Sequence, residues 1–505
     1  MKTCDSAKFI DKIQGCWFGK AIGGGFGTPF EGTPDAMHLA PEELVLDPGP
    51  NDDLEMQLLW LVQAEKYGAS LDASRLAEAW KNHIGYGMDE YGVALRNLRR
   101  GVEPPYSGYA DNAFFGDGMG AVIRSELWSC LSPGKPEQAA WFASQDATVD
   151  HFGDGVWGEI LLAAAGSIAI VNDDPAAALR DALAFLPPES RVAQAVRFVF
   201  DLCESGVPQE ELRGRIMEKF GHWNFTDCVM NLAFITAGIL VGGGDFDRTV
   251  TFCINCGKDT DCTAASSAAL LGLAGGTAAI PQKYRDILDD RIAVSDFLET
   301  LTILPRSLQE LKRRIFTLAE RLESELESTG RELRCSYRPL TEDVSHLLPH
   351  SSFWVFTGIS AADAERIEAE LRAAGPGANL YPERRRDFAG TILDLSEYSD
   401  QLHDIHCFTF ARCAASHPDG LVMCASNAGS TLWIDGRMHH NYQGRLKIVP
   451  AFHRTEGGST FGFPLEANRP YLMRIQLRFP PRDAHLTVAL GEKRGFYLDD
   501  YTLTV

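Results

Sequence analysis

The sequence predicts a chain of two classes: an all-α helical domain over residues 1–327, a linker at 328–350, and an antiparallel β-sandwich over 351–505. Apolar residues recur at a helical spacing of about 3.6 through the first part and at about 2 beyond residue 350. The stretch from Ser328 to His350 keeps neither period, and 505 residues exceed what a single hydrophobic core ordinarily organises.

From Ala7 to Gly19, Phe9, Ile10, Ile13 and Trp17 fall on one helical stripe. The glycine-rich segment from Gly19 to Glu31 reads as a loop. It follows a helix, whereas a phosphate-cradling glycine motif follows a strand. Pro50-Asn51-Asp52-Asp53-Leu54-Glu55 opens a second helix, carried by the apolar run from Leu58 to Val62. Leu71 to Asn82 is helical, and Gly85 to Gly92 is a glycine and aromatic loop of the sort that walls pockets. Asp111 to Arg124 is rich in glycine, which permits close approach of backbone to a ligand. Thr148 to Glu159 leads into a long apolar helix. Further helices are expected over Ala176 to Phe185, Val192 to Cys203, Glu210 to Phe220, Cys228 to Val241 and Arg306 to Glu327.

The segment with the most chemistry is Cys256-Gly257-Lys258-Asp259-Thr260-Asp261-Cys262, which precedes a small, apolar helix running toward Ile280. Residues two apart do not share a helix face in mid-helix, but at a loop-to-helix junction they converge. Asp259 and Asp261 are each suited to capping that helix. Asp52 and Asp53 repeat the arrangement at a second helix start, and capping needs one oxygen rather than this cluster. Carboxylates brought that close require a cation. An all-oxygen donor set suits a hard divalent ion, Mg(II), Mn(II) or Ca(II), better than zinc.

These two stretches, in this order, resemble the metal motifs of the ADP-ribosylglycohydrolases, which carry Thr-Asp-Asp early and Gly-Gly-Asp-Thr-Asp-Thr late. The likeness spans roughly residues 8 to 285. It implies an all-α fold and one or two ions, Mg(II) with Mn(II) as the substitute, held by Asn51, Asp52, Asp53, Asp259, Asp261 and Cys262. It also implies that Glu31, Asp53 and Asp259 carry catalysis, with Glu31 or a metal-site aspartate as general base. Asp117, Gly118 and Met119 then line the substrate cleft, and His151 lies beside the ribose. Three positions depart from the family pattern: Lys20 stands where the family has Asp, Asn51 where it has Thr, and Cys262 where it has a Thr whose hydroxyl ligates. An amide oxygen still suits a hard ion, whereas a thiol substitutes poorly.

In the second part, Tyr471 to Phe479 alternates with Met473, Ile475, Leu477 and Phe479 on one face, and Leu486, Val488 and Leu490 alternate likewise. Asp435-Gly436 between Thr431–Ile434 and Arg437–Met438 is a hairpin signal. One helix is expected from Ala361 to Ala374. The Leu-Trp-Ile-Asp-Gly-Arg hairpin, with Pro450-Ala451-Phe452-His453-Arg454 downstream, resembles PA14-like and carbohydrate-binding sandwiches. That implies sugar recognition or capping of a cleft, with oligomerisation or added stability as the alternative.

A formal net charge of -22 argues against a nucleic-acid partner, whose phosphates call for a basic field. The start of the chain has no signal-peptide core, and the apolar runs Ile160 to Val171 and Val229 to Val241 read as too short to cross a bilayer. A soluble cytoplasmic protein is expected, with no membrane partner. Its twelve cysteines show no secreted-scaffold rhythm. Cys253-Ile254-Asn255-Cys256 lacks a second pair to complete a zinc site, so buried thiols are expected. The reaction class expected is metal-dependent hydrolysis of an N- or O-glycosidic bond in an ADP-ribosyl or related ribosyl conjugate, small or protein-linked. A nucleosidase or glycosidase for a small sugar conjugate, and a non-catalytic ADP-ribose or glycan sensor, are the alternatives.

Overall fold

The computed structural model describes residues 5–298, 301, 303–444, 449–453 and 459–505. The chain forms two compact units: residues 1–85, 103–109 and 115–340, and residues 86–102, 110–114 and 341–505. The first is helical and the second is β-rich. The expected boundaries ran instead through a linker at 328–350. Asp89–Arg99 forms a helix, although its start falls in the segment Gly85 to Gly92 that reads as a loop. Its buried Arg96 pairs with Asp111 at 2.8 Å, and Asp111 in turn accepts the Thr391 N–H at 2.9 Å.

The first helix, Ser6–Gly27, extends a full two turns beyond the expected loop start at Gly19. It packs against the helix Thr260–Gly275 so closely that no side chain fits between. Gly15, Gly19, Gly23 and Gly27 recur every fourth residue on the shared face. A Cβ on Gly19 would stand 2.6 Å from the Ala268 carbonyl carbon, and one on Gly27 would stand 2.5 Å from the Asp261 amide nitrogen. The glycines therefore keep the helix here, and the close approach carries the 259–261 segment to the end of the first helix. The Thr260 hydroxyl seals that end by donating to the Gly27 carbonyl at 2.8 Å.

Asp52–Tyr67 forms the next helix toward the same place, capped by Asn51, whose side chain accepts the Asp53 N–H at 2.7 Å. Its buried Gln57 locks it to the segment 123–127: the amide donates to the Ile123 carbonyl at 3.0 Å and to Glu126 at 2.8 Å, and accepts the Leu127 N–H at 2.8 Å. The remaining expected helices form, including Asp154–Asn172, Arg191–Glu204, Gln209–Phe220, Cys228–Gly242 and Leu308–Thr329. Asp154–Asn172 and Thr260–Ala279 are long and apolar enough to cross a membrane by length and composition. Both are mostly buried inside the helical unit, which accounts for their apolar surfaces. The described cysteines carry no disulfide, and Cys253 and Cys256 are both buried.

In the β-rich unit a seven-stranded antiparallel sheet and a four-stranded one share a core, with Val355, Cys407, Leu432 and Ile475 from the first facing Val422, Cys424, Val488 and Leu490 from the second. The helix Ala361–Ala374 covers the outer face of the larger sheet through Ile367 and Leu371. Gly429–Ile434 and Arg437–Tyr442 pair across Asp435-Gly436, both at positive φ (50° and 84°), as a two-residue hairpin turn requires. The strand predicted through Phe479 ends at Arg478. Phe479 turns out at φ 47° and is 77% exposed, so it leaves the buried face on which alternation placed it. Arg454, in the segment expected to follow the hairpin, lies outside the described residues, as do Met1 to Cys4.

Candidate functional site

The two aspartate stretches meet. Gly257 and Lys258 hold successive left-handed conformations (φ 68° and 69°), which turn the chain sharply into the helix at Thr260. That turn pairs with the loop after the first helix: the Lys258 N–H donates to the Thr33 carbonyl at 2.7 Å, and the Gly32 N–H to the Lys258 carbonyl at 2.9 Å. Glu31 is thereby brought to Asp259 and Asp261, the ligand atoms of all three lying within 4.8 Å of one another. Asp53, Asp261 and Cys262 form a second such group, so Asp261 belongs to both.

Asp259 occupies the helix N-cap position but makes no capping bond. One oxygen each of Asp53, Asp259 and Asp261 is buried without a hydrogen-bond partner, on residues only 2%, 1% and 6% exposed. Capping therefore does not account for them, since a buried carboxylate oxygen without a donor is costly. Burial, then Asp261 and Glu31, pushes Asp259 well above the usual carboxylate range. Burial and Glu31 push Asp261 up to about 6. Burial raises Asp53 to about 7 against the pull of Lys20, with Asp261 and Glu126 adding to the rise. Such a set of buried, mutually repelling oxygens fits a hard divalent cation, which would neutralise them and complete their bonding.

Asp52 is half-buried and is raised by burial and by Asp53 and Asp261, but it joins neither three-ligand group. The Asn51 oxygen, expected as a ligand, serves as the helix cap. The Cys262 thiol donates to Asp53 at 3.5 Å, and burial with Asp259, Asp261 and Asp53 keeps it protonated. Lys20 is wholly buried, with its ammonium 3.6 Å from Asp53 and 3.0 Å from Glu126. Burial opposes that charge, and Glu126 with Asp53 outweighs it, so Lys20 is held charged.

The cleft residues expected from the family likeness sit deeper. Asp117 accepts the Asp154 N–H at 3.1 Å, and its carbonyl accepts the Cys228 N–H at 2.8 Å. Gly118 bridges to Asp227, and Met119 is buried in the core. Asp117 thus ties together the starts of the helices Asp154–Asn172 and Cys228–Gly242. Burial raises Asp227, which faces the same junction, to about 6. His151 is buried, with Nδ1 3.0 Å from Asp150 and Nε2 accepting the Ala121 N–H at 3.3 Å. Asp150 also receives both terminal nitrogens of Arg124, at 2.9 and 2.8 Å. In that position His151 braces the turn before Arg124. Glu126 was not anticipated; a single acid just before the run from Leu127 to Cys130 was the available signal. Phe225 lies against Gly32, where an added Cβ would meet its ring at 3.9 Å.

With this geometry in hand, residues 5–327 match the family described as ADP-ribosylglycohydrolase. The chain belongs to the ADP-ribosylglycohydrolase family. A protein of Archaeoglobus fulgidus described as uncharacterized is 25% identical over 328 residues, spanning 61% of this chain and 99% of that protein. A solved ADP-ribosylglycohydrolase-related protein complex is 20% identical, covers 63% of this chain and 99% of its own, and superposes with a TM-score of 0.43. A Kluyveromyces marxianus β-glucosidase in complex with glucose is 10% identical over 37% of this chain and 32% of its own, with a TM-score of 0.17. Membership of the ADP-ribosylglycohydrolases supports a glycohydrolase in broad terms, and the acidic groups around Asp261 are its candidate metal site.

Proposed function

We propose that this chain is a metal-dependent glycohydrolase that cleaves the N- or O-glycosidic bond of an ADP-ribosyl or related ribosyl conjugate. The observation that carries this reading is the convergence of two buried carboxylate oxygens without a hydrogen-bond partner, from Asp259 and Asp261, on a site edged by exposed Glu31. When bound, a divalent ion, Mg(II) or Mn(II), supplies charge neutralisation and Lewis-acid polarisation of sugar hydroxyls.

Cleavage at a ribose anomeric carbon passes through an oxocarbenium-like state that carries positive charge. Asp259 and Asp261 would hold the ion that orients the ribose end of the substrate. Glu31, the exposed member of its group, takes the proton from the attacking water as general base. Phe225, against the neighbouring Gly32, offers a ring against which an aromatic base can lie.

Release of ADP-ribose or simpler sugars from a panel of ADP-ribosyl conjugates, nucleosides and glycosides, with and without Mg(II) or Mn(II), tests the proposal. Metal-dependent turnover lost in Asp259→Ala is expected. Tight binding of ADP-ribose without turnover on any substrate, unchanged in Asp259→Ala, would overturn it in favour of a sensor.

A further inference from the structure

We propose that the metal centre holds a single divalent ion, taken by Glu31, Asp259 and Asp261, and that the Lys20 ammonium is a resident cation closing the Asp53 side to a second. The inference rests on the metal-dependent reading above and deepens it. It starts from a difference between the two carboxylate groups that share Asp261.

The group of Glu31, Asp259 and Asp261 is all oxygen, and buried Asp259 and Asp261 each keep an oxygen without a partner. The group of Asp53, Asp261 and Cys262 is different on both sides of Asp53. One Asp53 oxygen receives the Cys262 thiol at 3.5 Å, and the other faces the Lys20 ammonium at 3.6 Å. Lys20 cannot swing clear. Its side chain is fully buried on the glycine-striped helix Ser6–Gly27, its nitrogen is held by Glu126 at 3.0 Å, and Ser266 lies 3.5 Å away. Glu126 is itself fixed by Gln57 at 2.8 Å. A second divalent ion on Asp53 would sit against a fixed positive charge in a poorly solvated interior, where like charges repel strongly. It would also have to accept a sulfur ligand, a soft donor poorly matched to Mg(II) or Mn(II). The Lys20 charge already does for Asp53 what such an ion would do.

In this arrangement Lys20 is a positioning residue. It holds the Asp53 carboxylate at the edge of the centre without touching the reacting atoms.

The test is the number of Mn(II) ions bound per chain, measured by equilibrium dialysis of the chelator-treated full chain and by the electron paramagnetic resonance of the bound ion. One ion per chain, with the spectrum of an isolated Mn(II), is expected. Two ions with an exchange-coupled spectrum would overturn the inference while leaving the metal-dependent reading intact. No bound ion at all would overturn both. In Lys20→Met with Glu126→Gln and Cys262→Ser, which removes the ammonium, its counter-charge and the thiol together, the stoichiometry should rise from one to two. A folded triple variant that still binds one ion would overturn the assignment of Lys20 as the excluding charge.

Discussion

Gly19→Ala tests whether the contact between the helices Ser6–Gly27 and Thr260–Gly275 builds the site. The new Cβ would lie 2.6 Å from the Ala268 carbonyl carbon and 3.0 Å from the Ala269 nitrogen. Carbon atoms rest at about 3.5 to 4.0 Å, so the helices must part by about 1 Å. Gly15 and Gly23 make equally close approaches on either side, which blocks relief by tilting. Forcing a methyl into a packed interior costs about 1 to 3 kcal/mol, and with backbone as the obstacle the upper end applies. Alanine returns about 1 kcal/mol of helix propensity, leaving a net loss of about 2 kcal/mol. Gly214→Ala is the comparator, because Gly214 lies inside the helix Gln209–Phe220 with nothing within 4 Å of an added Cβ. It should gain about 0.5 to 1 kcal/mol from propensity alone. Urea unfolding followed by tryptophan fluorescence separates the two, since Trp17, Trp60, Trp80, Trp128, Trp141, Trp157 and Trp223 all report from the helical unit. A Gly19→Ala protein as stable as Gly214→Ala would refute the reasoning.

Three further outcomes follow from the same contacts. Asp53 and Asp261 titrate at about 7 and about 6 in the folded chain, above their unfolded value of about 3.9, so the proton favours the fold. That stability is full below about pH 4 and is lost as pH rises through 6 to 7; chelator-treated protein should therefore melt lower at pH 8 than at pH 5, and saturating Mn(II) should recover the part of the difference that belongs to Asp261 at pH 8. Glu126→Gln, which leaves buried Lys20 with Asp53 as its remaining carboxylate partner, should cost about 3 kcal/mol in urea unfolding, whereas a cost under about 1 kcal/mol would mean that the pair contributes little. Gly436→Ala puts a side chain at φ 84° and 2.9 Å from an Arg372 terminal nitrogen, so it should lose about 1 to 2 kcal/mol and speed hydrogen exchange across Gly429–Tyr442.

What the sequence makes legible here is local. Asp52-Asp53 and Asp259-Thr260-Asp261 announce themselves because each packs charge into the first turn of an apolar helix, and Asp435-Gly436 because a two-residue turn needs residues that tolerate positive φ. The alternation from Tyr471 to Leu477 is equally local, and it fails one step later at Phe479, where the backbone turns out of the strand. The long-range features are hidden. The glycines from Gly19 to Gly27 read as a loop because glycine is a poor helix former, yet they are glycines because another backbone lies against them, and that neighbour is some 240 residues away in sequence. Arg96 with Asp111, which ties residues 86–102 to the β-rich unit, has no signal in the sequence either. For the site the consequence is specific. The oxygen donors can be read from the sequence, but the charge that balances them cannot, because Lys20 and Glu126 are separated by 106 residues and meet Asp53 only in the folded chain. Donor type indicates which ion a site suits; counter-charge decides how many ions it holds, and that second quantity belongs to the fold.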